Sequence, residues 1–139
     1  MRNVLMAATA ALMLTTACSG SDAEQQLLWQ SRWVLVEPAL TSERGPIWFE
    51  ADAEKRQIYG FSGCNRFFGG FAEGDELKLG PMGMTRMACA DGMETEMTVA
   101  RLLQDARGFT LDGERLTVTS GDGQTSVWQA TAREPQTKP

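Results

Sequence analysis

From residue 28 onward the chain alternates short apolar, β-branched runs with clusters of Gly, Asp and Pro. The alternation predicts strands over 28–36, 47–50, 57–61, 66–72 and 77–79. Residues 51–55 and the Gly74-Asp75 step serve as turns, and Gly60 and Gly63 permit tight backbone geometry where the third strand ends. Three further runs, 109–111, 115–119 and 125–131, are separated by Asp112-Gly113 and by Gly121-Asp122-Gly123. Asp-Gly between alternating runs is a hairpin signal, because its backbone tolerates the positive φ that tight hairpins require.

Between the two groups of strands the period changes to that of a helix, over 91–107. Asp91 caps its start, with Glu94 three residues later in a box-like arrangement. Glu94 and Glu96 suit the positive end of the helix dipole, and Arg101 and Arg107 follow towards the negative end. Met93, Met97, Ala100 and Leu103, widened by Val99, Leu102 and Ala106, form one broad apolar stripe. About eight short strands and one greasy helix predict an α+β fold. It is a small curled antiparallel β-sheet or partly open β-barrel with one packed α-helix, the helix covering edges that would otherwise pair with other chains.

The N-terminal part reads differently. Residues 1–17 carry Arg2 and an apolar run over 4–14, too short for the roughly 20 residues that span a bilayer. This is the pattern of a secretory signal peptide. Small residues then precede Cys18 in Leu14-Thr15-Thr16-Ala17-Cys18, which resembles the bacterial lipobox, although its leucine lies one place further from the cysteine than usual. The resemblance implies lipidation of Cys18 as the mature N-terminus. Residues 18–27 are polar and small enough to tether that anchor to a domain over 28–132, and 133–139 read as a flexible tail.

Composition removes several functions. The 139 residues carry a net charge of −5, and loss of 1–17 removes only Arg2, leaving −6. That balance predicts no nucleic-acid partner, since such binding needs a basic footprint. There is no histidine, so Ser-His-Asp and Cys-His catalysis and His-ligated zinc are excluded. No cofactor is expected.

One stretch carries a family pattern. Gly63-Cys64-Asn65-Arg66 is followed by Gly69 or Gly70 with Phe71, by Leu77, by Gly80-Pro81, and by Thr85-Arg86-Met87-Ala88-Cys89. These positions, in order and at fitting gaps, resemble the META domain, also called HslJ-like. The resemblance spans roughly residues 28–132 and implies a small, partly open barrel with a helix. It also implies a non-enzymatic envelope lipoprotein associated with stress or antibiotic response. Ser19, in place of the aspartate linked to inner-membrane retention, points to the periplasmic face of the outer membrane, with the membrane and an envelope protein as partners.

Several residue groups then invite chemistry. Cys64 and Cys89 are an even pair in an exported domain, which predicts a disulfide rather than a nucleophile lacking its base. Asn65, Arg66, Thr85 and Arg86 are the polar members of the two motif halves. They read either as a recognition site for an anionic or peptide ligand, or as structural braces of turns and strand ends. Met82, Met84 and Met87, with Met93 and Met97 nearby, offer soft thioethers for Cu(I) or Ag(I), or flexible core filling. Phe67, Phe68 and Phe71 with Tyr59 and Phe61 read as an aromatic floor or as core. Asp22, Glu24, Glu73, Asp75 and Glu76 lack the apolar surroundings that tune a glycosidase pair. An exposed loop over 81–85 would suit a small inhibitor of an envelope or foreign hydrolase.

Overall fold

The computed structural model describes residues 20–72 and 77–135. One antiparallel sheet of eight strands dominates it, in the order β5-β4-β3-β2-β1-β8-β7-β6. The strands are β1 (Arg32–Glu37), β2 (Trp48–Asp52), β3 (Gln57–Phe61), β4 (Arg66–Phe71), β5 (Leu79–Met84), β6 (Gly108–Asp112), β7 (Arg115–Thr119) and β8 (Thr125–Thr131). Two meanders, β1 to β5 and β6 to β8, are stitched together where β1 pairs with β8. The sheet curls into a half-barrel whose free edges are β5 and β6. At one end these edges meet, where the Leu79 amide donates to the Ala106 carbonyl at 2.7 Å and Phe71 packs edge-on to Phe109 at 5.7 Å.

The inner face is apolar because strand alternation sends every second residue there. Trp33, Phe49, Ile58, Phe67, Leu116, Val118 and Trp128 are all essentially inaccessible, with Phe49 and Trp128 packed edge-to-face at 4.8 Å. Gly60 belongs to this packing. A Cβ there would lie 2.6 Å from Phe67 Cζ and closer still to the Trp48 carbonyl, so only glycine fits between β2 and β4.

Two helices complete the fold. The polar run read as a tether is helical from Gly20, and the first residues of the expected strand over 28–36 belong to the same helix, α1 (Gly20–Gln30). Ala23, Glu24, Gln25, Gln26 and Leu27 are strong helix formers. The helix is tied in by burial of Leu28 and by Trp33 Nε1 donating to its carbonyl at 3.1 Å. The second helix, α2 (Met93–Leu103), is shorter than the expected 91–107. Gly92 rather than Asp91 stands at its N-cap, with no side-chain cap bond, and Gln104 turns extended to end it. Its buried face is Val99, Leu102 and Leu103, so Met93 and Met97 lie outside the apolar stripe, 62 % and 58 % exposed.

β5 corrects a further expectation. Residues 81–84, read as part of an exposed loop, continue the edge strand, which tolerates Pro81 because its partner lies on one side only. Met82 and Met84 pack against the core from it. Residues 1–17, Cys18, Ser19, Glu73, the Gly74-Asp75 turn, Glu76 and 136–139 lie outside the described residues.

Candidate functional site

Cys64, just before β4, and Cys89, just before α2, form a disulfide with Cα atoms 5.9 Å apart. It brings the two halves of the motif together, and Asn65 binds them side by side. Its side chain is 3 % exposed at the residue level and makes four strong contacts. Oδ1 accepts from the Met87 amide at 2.6 Å and from Thr85 Oγ1 at 3.0 Å, while Nδ2 donates to Glu96 Oε2 at 2.7 Å and to the Met87 carbonyl at 3.1 Å. Glu96 Oε2 also accepts from the Asn65 amide at 3.1 Å and from Ser62 Oγ at 3.2 Å. One carboxylate of α2 thus gathers a side chain, a backbone amide and a hydroxyl from the turn between β3 and β4. Thr85 Oγ1 in turn accepts from the Arg66 amide at 3.0 Å.

The four polar motif residues therefore part company. Asn65 and Thr85 meet inside the network, whereas the side chains of Arg66 and Arg86 are exposed. Neither arginine makes an ion pair among the described residues. The methionines separate too: Met82 and Met84 face the core and Met87 is 51 % exposed. Among the described residues no group of three or more His, Cys, Asp or Glu is arranged to hold a metal.

Beside the disulfide lies an open cleft of about 580 Å³, lined among others by Ser42, Arg44, Gly63, Cys89 and Asp91. Arg44 reaches in from the β1–β2 connection. Its guanidinium donates to the Cys64 carbonyl at 3.1 Å and lies 3.6 Å from Cys89 Sγ. Ser42 Oγ donates to the Gly63 carbonyl at 2.7 Å. The cleft walls are thus tied to the motif by hydrogen bonds, with the arginine spent on backbone.

The outer face of β1 to β5 holds the remaining candidate side chains. Register places Val34, Trp48, Phe61 and Arg66 in one row across the strands and Arg32, Glu50, Tyr59, Phe68 and Gly83 in the next. Glu50 is 2 % exposed and sits in a nest of donors. Arg32 Nε donates to Oε1 at 2.8 Å, Tyr59 donates its hydroxyl to Oε2 at 2.6 Å, and Arg133 Nε approaches Oε2 at 3.6 Å. Burial, and then the hydrogen bond to this carboxylate, push the Tyr59 phenol above its ordinary pKa. Arg133, expected in a flexible tail, donates to the carbonyls of Trp29 and Ala51 and so ties the end of the chain to α1 and β2. The Arg32 guanidinium lies 3.9 Å from the centroid of the Trp48 ring.

Phe67 and Phe71 are core, while Tyr59 and Phe61 are half-buried on the outer face and Phe68 is 55 % exposed there. Glu96, Ser62, Arg44 and Glu50 join these contacts without a sequence signal for them. In the sequence Glu96 suits the helix dipole, and nothing marks Glu50 except its place on a strand.

Comparison with known proteins agrees with the fold. Among solved structures, the NMR structure of a protein from Burkholderia xenovorans is 26% identical, with a TM-score of 0.61, covering 92% of this chain and 100% of its own. A second NMR structure is 30% identical with a TM-score of 0.56, covering 75% of this chain and 92% of its own. No curated protein matches. The model of the META domain matches residues 11–133, most of the sequence, and the chain belongs to the META domain family.

Proposed function

We propose that this META-family chain is a non-enzymatic envelope lipoprotein, anchored through Cys18 at the periplasmic face of the outer membrane, that works by binding an envelope component. One observation carries the reading. Asn65, Thr85, Ser62 and Glu96 satisfy one another, whereas the outer face of β1 to β5 displays Phe68 and an arginine without an ion pair among the described residues. Buried polar groups that are fully partnered rigidify a fold, and exposed aromatic and Arg side chains are the usual anchors of recognition. The motif is then scaffold and the sheet face is the working surface.

Site-specific photo-crosslinking in cells tests this. A photoreactive side chain at Phe68 should give discrete adducts, and one at exposed Thr110 on edge strand β6 should not. Equal yields from both positions would overturn the reading. Lipidation is checked separately by mass spectrometry of the membrane-extracted chain, where a diacylglyceryl group on Cys18 is expected. A Cys18→Ala chain that still partitions wholly into membranes would refute the anchor.

A further inference from the structure

The two halves of the Cys64–Cys89 bridge sit in different surroundings. Cys64 is 2 % exposed, whereas Cys89 is half-buried and lines the cleft of about 580 Å³. The walls next to Cys89 are short, formed by Ala88, Ala90 and Gly92. A Cβ at Gly92 would lie 2.9 Å from Cys64 Cβ and 3.0 Å from Cys89 Cβ, so the N-cap of α2 packs on the bridge with no side chain to cover it. Glu43 and Asp91 also line the cleft, but the charge set against sulfur is Arg44, whose guanidinium lies 3.6 Å from Cys89 Sγ. On the buried side, Asn65 Nδ2 lies 3.4 Å and the Met87 carbonyl 3.5 Å from Cys64 Sγ.

From this asymmetry we infer that the bridge is a reversible redox clasp, opened by a dithiol that attacks Cys89 from the cleft. The first thiolate bonds to Cys89 Sγ as the Cys64–Cys89 bond breaks, and the electron pair leaves on Cys64 Sγ. The Asn65 amide group donates to that thiolate, and once it takes a proton from solvent the Met87 carbonyl accepts its S–H. The dithiol's second thiolate then attacks the mixed disulfide and releases Cys89. The bridge gains two electrons and the dithiol leaves as a disulfide. Burial closes Cys64 to direct attack, while the Arg44 guanidinium draws an incoming thiolate towards Cys89. Nor is the bridge the sole fastening of the motif. Asn65 holds Thr85, Met87 and Glu96 beside it through hydrogen bonds that reduction leaves intact. The two thiols therefore stay neighbours after reduction and can close again without refolding.

The test uses the full oxidised chain in detergent. It is treated with the monothiol mercaptoethanol, quenched early with iodoacetamide, and cut with trypsin, which separates the two cysteines because Arg66 and Arg86 lie between them. The mercaptoethanol adduct should sit on Cys89 and the alkyl group on Cys64, by at least about tenfold over the reverse. With dithiothreitol, the rate of reduction should change by less than about twofold per molar urea below the unfolding transition, whereas attack that waited for global unfolding would quicken by about tenfold. The reduced chain should keep its near-UV circular dichroism at room temperature and re-form the same bridge with oxidised dithiothreitol. Adducts on Cys64 or shared equally, reduction that tracks unfolding in urea, a native chain inert to dithiothreitol, or loss of the near-UV signal on reduction would overturn the proposal.

Discussion

Replacing Asn65 by Ala is the sharpest test of the motif as scaffold. The change removes two acceptor contacts, to the Met87 amide and Thr85 Oγ1, and two donor contacts, to Glu96 Oε2 and the Met87 carbonyl. A neutral bond contributes about 1 kcal/mol net and a charged one about 2 kcal/mol, so complete loss sets a ceiling near 5 kcal/mol. Thr85 and Met87 are exposed and can bond to water instead, whereas the turn around Ser62 and Asn65 is buried. The expected loss is therefore about 2–4 kcal/mol, a large part of the roughly 5–15 kcal/mol that holds a domain folded. At about 4 °C per kcal/mol for a domain of this size, the melting temperature should fall by roughly 8–16 °C. Circular dichroism melts and urea titration measure it, and a cycle with Glu96→Gln isolates the charged contact. A fall of less than about 3 °C would refute the view that Asn65 joins the motif halves.

An isosteric change sharpens the same test through pH. Asn65→Asp sets a second carboxyl against Glu96 Oε2, which the amide nitrogen now meets at 2.7 Å. The like charge raises the native pKa of the introduced group above its unfolded value of about 3.9. The native state then binds the extra proton more tightly, so stability falls as pH rises from that unfolded value through the raised native one. The deficit against the parent should be greatest near neutrality and shrink on acidification. A deficit independent of pH would mean that the two carboxyls do not face each other.

Three further outcomes follow from the described contacts. Replacing both Cys64 and Cys89 by Ala opens a loop with sequence separation 25 and should cost about 3–4 kcal/mol, read as a lower urea midpoint. Thiol counting under denaturing, non-reducing conditions should find neither cysteine free. Tyr59 is the chain's single tyrosine, so a near-UV absorbance titration reports it alone, and its midpoint should exceed 10.0. Because its native pKa is raised, its contribution to stability is complete below the unfolded pKa and disappears as pH climbs through the native value. Gly60→Ala should cost more than about 3 kcal/mol, since the new methyl meets the Trp48 carbonyl and Phe67 at once; a well-folded variant with unchanged melting would contradict the packing between β2 and β4.

Much of the sheet was legible because alternation and Asp-Gly turns are local signals. The hairpin of β6 and β7 around Asp112-Gly113 follows directly from them. α1 was not legible: its residues are polar enough to read as a linker, and the burial of Leu28, the Trp33 indole bond to its carbonyl and the Arg133 bond to the Trp29 carbonyl, all distant in sequence or tertiary in origin, give the helix a place to dock. The buried stripe on α2 is narrower than its helical spacing predicts. Met93 and Met97 share helical spacing with Leu103, but the sheet meets only the Val99, Leu102 and Leu103 side. Arg133 illustrates the opposite limit, since nothing near it in sequence announces Glu50, Ala51 and Trp29 as partners.

The motif resemblance and the proposed binding surface separate along β4 itself. Phe67 and Phe68 are adjacent, so the pleat sends one into the core at 1 % exposure and lays the other on the outer face at 55 %. Asn65 and Arg66 divide in the same way, one buried in the Glu96 network and the other beside Trp48. A motif that joins strand ends must include residues of both orientations, and the inward set is fixed by packing whatever the protein binds. The outward set lies outside that packing, with Gly83 leaving room for the Phe68 ring. The proposed binding surface is therefore one residue out of phase with the scaffold, at Arg66 and Phe68 rather than at Asn65 and Phe67.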